Sequence, residues 1–119
     1  MKKTEENIIA VKSKAFAIRI IKLYKYLCDD RANEVIGKQI LKSRTSIGAN
    51  VKEALRGQSK ADFIAKMSIA LKEASETEYW IELLEESDCI TETQAASIQN
   101  DCVELIKILM SITKTAEKK

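Results

Sequence analysis

Two rows of polar residues at heptad spacing are the part of this sequence with the most chemical potential. Gln39, Ser43, Ser46, Asn50, Glu53 and Gly57 recur at alternating steps of four and three, which places them along one line of a helix. Glu73 and Glu76 share a second line with Ile69, Trp80 and Leu83. The carboxylates Glu53, Glu73 and Glu76 could in principle exchange protons or hold a cation. Bundles that carry di-metal sites use Glu-x-x-His pairs, and this chain has no histidine. Calcium or magnesium would need a dense loop of oxygen ligands, and none is present. The lack of histidine also removes the Ser–His–Asp and Cys–His nucleophiles and the imidazole switch. Cys28, Cys89 and Cys102 are odd in number and match no zinc or redox spacing, so they read as reduced, mostly buried thiols. The expectation is no catalytic residue, no metal and no cofactor. The polar rows are then either an interhelix or subunit-interface network, or a polar surface that meets a partner.

Charge is unevenly spread. Residues 1–66 hold 15 Lys+Arg against 7 Asp+Glu, a net of +8, whereas residues 67–119 hold 5 against 11, a net of −6. Lys38, Lys42, Lys52 and Arg56 share one outward line of their segment, and Lys14, Lys22 and Lys25 crowd one side of another. Such a face either pairs with the acidic half of the chain or attracts phosphates. With six aromatic residues in the chain and no recognition motif, binding would follow phosphate charge and shape rather than base stacking.

These residues must be positioned by helices. The 119 residues contain no proline and three glycines, with 45% hydrophobic and 32% charged residues, a composition poor in turns and rich enough to build one core. Segment one runs from about Glu5 to Cys28, with Ile9, Phe16, Ile20, Leu23 and Leu27 on its apolar face. Asn33 can cap segment two, Glu34 to Arg56, whose face is Ile36, Ile40, Ile47, Val51 and Ala54 or Leu55. Gly37 and Gly48 inside it each cost about 1 kcal/mol against alanine, which points to close backbone packing, and Gly57 is expected to end it as a C′ residue. Segment three starts at Ser59, with Asp62 completing a capping box. Its seam is Phe63, Met67, Ala70, Ala74, Thr77, Ile81 and Leu84, and it ends near Ser87. Segment four opens on the capping box Thr91-Glu92-Thr93-Gln94 and carries Ala95, Ile98, Cys102, Leu105, Leu109 and Ile112 inward. The expected fold is all-α, an antiparallel up-down four-helix bundle, as a single domain over residues 1–119. No apolar run approaches the ~18 residues of a membrane span and no leader precedes the first helix, so a cytoplasmic protein without membrane contact is expected.

The helices carry more apolar surface than one bundle needs. Val11, Ala15 and Ile18 on helix one, Ile69, Trp80 and Leu83 on helix three, and Val103, Ile106 and Met110 on helix four lie outside or beside the main stripes. Wide faces could fill a thick core. Burial between copies is preferred, because exposed rows would form patches that monomers avoid.

The run Gln39-Ile40-Leu41-Lys42-Ser43-Arg44-Thr45-Ser46-Ile47-Gly48-Ala49-Asn50-Val51-Lys52-Glu53-Ala54, with Asp62-Phe63 and the later Ala70-Leu71-Lys72-Glu73-Ala74-Ser75-Glu76-Thr77-Glu78-Tyr79-Trp80, resembles the four-helix-bundle proteins encoded in intervening sequences of bacterial 23S ribosomal RNA. That family is similar to the accessory variability determinant proteins of diversity-generating retroelements. The resemblance spans nearly the whole chain. It implies an up-down bundle assembled as a ring-like homopentamer. For the retroelement relatives it implies a basic surface that engages RNA or DNA and a reverse transcriptase. The intervening-sequence members have no established catalysis. The expected function is therefore a non-enzymatic, homo-oligomeric accessory or scaffold protein for nucleic acid, with Lys38, Lys42, Lys52 and Arg56 on phosphates and Lys14, Lys22 and Lys25 in support. A protein-interaction hub without nucleic acid is the alternative.

Overall fold

The apolar periodicities resolve into four α-helices in a computed structural model: α1 (Lys2–Leu27), α2 (Arg31–Leu55), α3 (Lys60–Glu86) and α4 (Glu92–Glu117). It describes the backbone of residues 2–27 and 31–118, and the side chains of residues 4–26, 38, 39, 42 and 46–118. The expectations for the side chains of Leu27, Cys28, Ile36, Gly37, Ile40 and Ser43 lie outside the described residues.

Chain direction follows from side-chain contacts. Glu5 accepts from Ser111 at 2.7 Å, Lys12 pairs with Glu104 at 2.9 Å, and Arg19 pairs with Asp101 at 2.6 Å. Ascending numbers on α1 meet descending numbers on α4, so these helices are antiparallel. The Gln99 amide donates to the Glu78 carbonyl and the Cys102 thiol to that of Ala74, which sets α3 against α4 in the same sense. A short hairpin reverses α2 into α3, and Lys66 reaches back to Glu53 at 3.2 Å. α1 must then run opposite to α2. Each helix neighbours two others around a closed square, α1–α2–α3–α4–α1, in a body of 46 × 22 × 19 Å.

The core is the set of seams. On α3 the buried residues are Met67, Ala70, Ala74, Thr77, Ile81 and Leu84, the expected row, with Phe63 half-buried at its start. On α4 Ala95, Ile98, Cys102, Leu105, Leu109 and Ile112 are buried as expected, joined by Thr113 and Ala116. α1 contributes Ile9, Phe16 and Ile20, and α2 contributes Ile47, Val51 and Ala54. Leu55, the alternative to Ala54, is exposed. Three hydroxyls share this interior, and each donates to a carbonyl of its own helix: Ser13 to Ala10, Thr77 to Glu73, and Thr113 to Leu109 and Met110. Their hydrogen-bonding capacity is met locally, so they can be buried without partners on other helices.

The helix ends depart from expectation in three places. α2 begins at Arg31, so Asn33 lies inside the helix and cannot be its cap. At α3, Ser59 accepts from the Asp62 amide at 3.1 Å, but among the described residues the return bond of a capping box is not made; aspartate is one methylene shorter than the glutamate that usually makes it. Thr91 and Gln94 of α4 make both bonds, at 3.1 and 2.8 Å. Gly57 does not take a left-handed conformation. It accepts a tight turn, donating to the Ala54 carbonyl at 3.0 Å, and a Cβ there would meet the Asp62 carboxylate at 2.8 Å and the Ala54 carbonyl oxygen at 3.0 Å. The left-handed residue is Asp88, φ 60°, which closes α3 with amide bonds from Asp88 to Glu85 and from Cys89 to Leu84, the Schellman pattern. Gly48 is a further correction: a Cβ there would meet nothing within 4 Å, so close packing is not the reason for it.

Candidate nucleic-acid interface

α1 and α2 bring the basic residues to one side of the square. Lys52 and Arg56, one turn apart on α2, line a groove together with Lys14 of α1. Carrying the antiparallel register onward puts Lys22 and Lys25 of α1 level with Lys42 and Lys38 of α2. All seven expected phosphate ligands are exposed. Among the described residues, no carboxylate pairs with Lys14, Lys22, Lys25, Lys42, Lys52 or Arg56. Elsewhere Lys12 and Arg19 pair with Glu104 and Asp101 and tie α1 to α4, and Lys66 pairs with Glu53 and ties α3 to α2. The α4 carboxylates Glu104 and Asp101 thus engage Lys12 and Arg19 rather than Lys14, Lys22, Lys25, Lys42, Lys52 or Arg56.

The groove between α1 and α2 measures about 580 Å³. Its apolar lining is Ala10, Ala17, Gly48, Ala49, Val51 and Leu55, with buried Ser13 between. Sequence reasoning placed none of these in a site. The one available signal was Gly48, a costly residue in a helix interior, which leaves room rather than permitting contact. A second depression at the α2–α3 hairpin shares Lys52 and Arg56 but sets Glu53 and Asp62 beside them, so it lacks the single sign of charge seen along α1–α2.

The polar rows do not form one interhelix network among the described residues. Gln39, Glu53 and Glu76 are exposed, while Ser46, Asn50 and Glu73 are half-buried. The Asn50 amide donates to the Ser46 carbonyl of its own helix at 2.7 Å. The Glu53–Lys66 pair crosses from α2 to α3. That pair fixes a register in which Ser46 comes level with Glu73. Among the described residues no three Cys, Asp or Glu side chains gather into a possible metal site.

The expected interface residues occupy three sides of the molecule. Lys66 faces α2, and Ile69, Glu73 and Trp80 follow it by three, seven and fourteen residues, so their row lies on the α2 flank of α3. Gln99 faces α3, and Val103, Ile106 and Met110 follow by four, seven and eleven, on the α3 flank of α4. Val11, Ala15 and Ile18 lie between the groove side and the α4 side of α1. Val11 is 70% exposed, Met110 54%, Ile18 47% and Ile69 41%, whereas Trp80, Leu83, Val103 and Ile106 are half-buried in the single chain.

Cys102 is fully buried, and burial, with smaller contributions from the Glu78 and Asp101 carboxylates, pushes its thiol up to about 12. Cys89 is half-buried beside Ser87. No helix among the described residues is long and apolar enough to cross a membrane.

Fold and surface together define a four-helix bundle with a basic, grooved α1–α2 face. The family model described as 23S rRNA-intervening sequence protein matches residues 5–111, and the chain belongs to that family. It is also similar to a crystal structure of a protein of unknown function, from the S23 ribosomal protein family of Bacteroides thetaiotaomicron. Identity is 54% over 92% of this chain and 98% of that one, with a TM-score of 0.89. Among curated proteins none matches.

Proposed function

We propose that this protein is a non-catalytic, cytoplasmic, homo-oligomeric scaffold that holds nucleic acid on its α1–α2 face. The observation that carries the reading is the set of six exposed cations on α1 and α2 that no described carboxylate neutralises. Lys38, Lys42, Lys52 and Arg56 contact phosphates along α2, and Lys14, Lys22 and Lys25 extend the contact along α1. A ring of copies, five as the resemblance implies, repeats this face and converts a weak phosphate attraction into a multivalent one. The family match to proteins encoded within ribosomal RNA genes makes a structured RNA the natural first ligand to test.

A gel-shift titration with a structured RNA and with duplex DNA, at low and at moderate salt, tests the reading. Binding is expected to weaken steeply as salt rises, because each neutralised phosphate releases a counterion. The double variant Lys52→Glu, Arg56→Glu should bind roughly tenfold more weakly or worse. Absence of binding at low salt, or binding indifferent to salt, would overturn it.

A further inference from the structure

A phosphate backbone needs cations but gains little from an apolar trough between them. The α1–α2 groove has both. Ala10, Ala17, Gly48 and Ala49 make a lining of small side chains, Leu55 remains exposed beside them, and a Cβ at Gly48 would enter open space. From Gly48 to Arg56 the lining extends about 12 Å along α2, roughly two turns. Lys14 on one wall and Lys52 and Arg56 on the other are exposed and unpaired among the described residues. Small residues on two adjacent helices let a third helix approach closely. Cations on both walls select carboxylates beside its apolar anchors.

We infer that this groove is a docking site for an amphipathic helix of a protein partner, with aliphatic side chains on one face and glutamate or aspartate flanking them. The inference goes beyond nucleic-acid binding and does not depend on it. Because Lys14, Lys52 and Arg56 would serve both ligands, the acidic helix and the RNA compete, which gives the partner control over release of the nucleic acid.

Fluorescence anisotropy with a labelled synthetic peptide of about four helical turns, leucines at heptad spacing flanked by glutamates, measures the site on the full-length protein. Saturable binding is expected to wild type and not with the same peptide carrying lysines for glutamates. Gly48→Leu fills the trough at a position where the backbone tolerates a side chain, and Ala17→Leu fills it from the opposite wall. Each should weaken peptide binding roughly tenfold or more, as should Lys52→Glu with Arg56→Glu. Structured RNA should bind Gly48→Leu as it binds wild type. Peptide binding that survives both fillings overturns the inference, as does no peptide binding to wild type. Two results reassign the groove and also overturn it: capture of dodecanoate but not of the peptide, or dissociation of the oligomer by Gly48→Leu. Loss of RNA binding alongside peptide binding in Gly48→Leu would mean that RNA itself fills the trough. Failure of RNA to bind wild type, with peptide binding intact, would remove the nucleic-acid reading and leave this one standing.

Discussion

Cys102 packs between α3 and α4 with its Sγ donating to the Ala74 carbonyl at 3.3 Å, and removal from water holds it protonated. Its thiol ionises near 9.0 when unperturbed and near 12 in the folded chain. Between those values the folded state keeps a proton that the unfolded state has lost. Stability from this group is therefore complete below pH 9.0 and falls as pH rises toward 12, by up to about 1.4 kcal/mol per pH unit. Urea denaturation at pH 8 and pH 10 should show the decline, and Cys102→Ala should flatten it while lowering stability at both. An unchanged pH dependence in Cys102→Ala would show that other groups produce it. The inertness of this residue was legible in the sequence, since Cys102 falls on the apolar seam of α4. The local bond of Asn50 was not: its place on a polar row is equally compatible with a partner on another helix.

Helices were legible where the heptad pattern was unbroken. Every core position expected on α3 and α4 between Met67 and Ile112 is buried, because alternating steps of three and four leave only one face that can turn inward. Glycines and caps were harder to read, because their roles depend on the space around them. Gly48 sits in helical backbone with open space where its Cβ would be, so Gly48→Ala should stabilise by about 0.5–1 kcal/mol through reduced freedom of the unfolded chain. Gly57→Ala should destabilise, since the new methyl meets the Ala54 carbonyl oxygen and displaces the Asp62 carboxylate from the start of α3. Thermal unfolding of the two variants reads both signs, and a stabilised Gly57→Ala would show that the hairpin can relax. Asp88, not Gly57, carries the left-handed turn. An Asp in an α3–α4 link gives little sequence warning of that conformation.

At the scale of the whole molecule, the nine residues expected at a subunit interface divide into three rows on three sides of the bundle. A two-fold dimer pairs one patch with its own copy and would cover only part of them. A head-to-tail contact joins two different faces and closes into a ring when the rotation permits. It also suits a chain whose first 66 residues carry +8 and whose remainder carries −6, because a self-paired patch on either half would oppose like charges. The sequence disclosed the surplus of apolar surface through its rows. Their separation around the bundle became readable only once Lys66 and Gln99 showed which flanks of α3 and α4 face their neighbours. The direct measurement is sedimentation velocity of the purified protein at micromolar concentration, with Val11→Glu and Met110→Glu as controls. A discrete species of several subunits is expected, shifting toward smaller particles in the controls. A stable 13.4 kDa single chain, unchanged by either substitution, would contradict assembly and with it the repeated basic face.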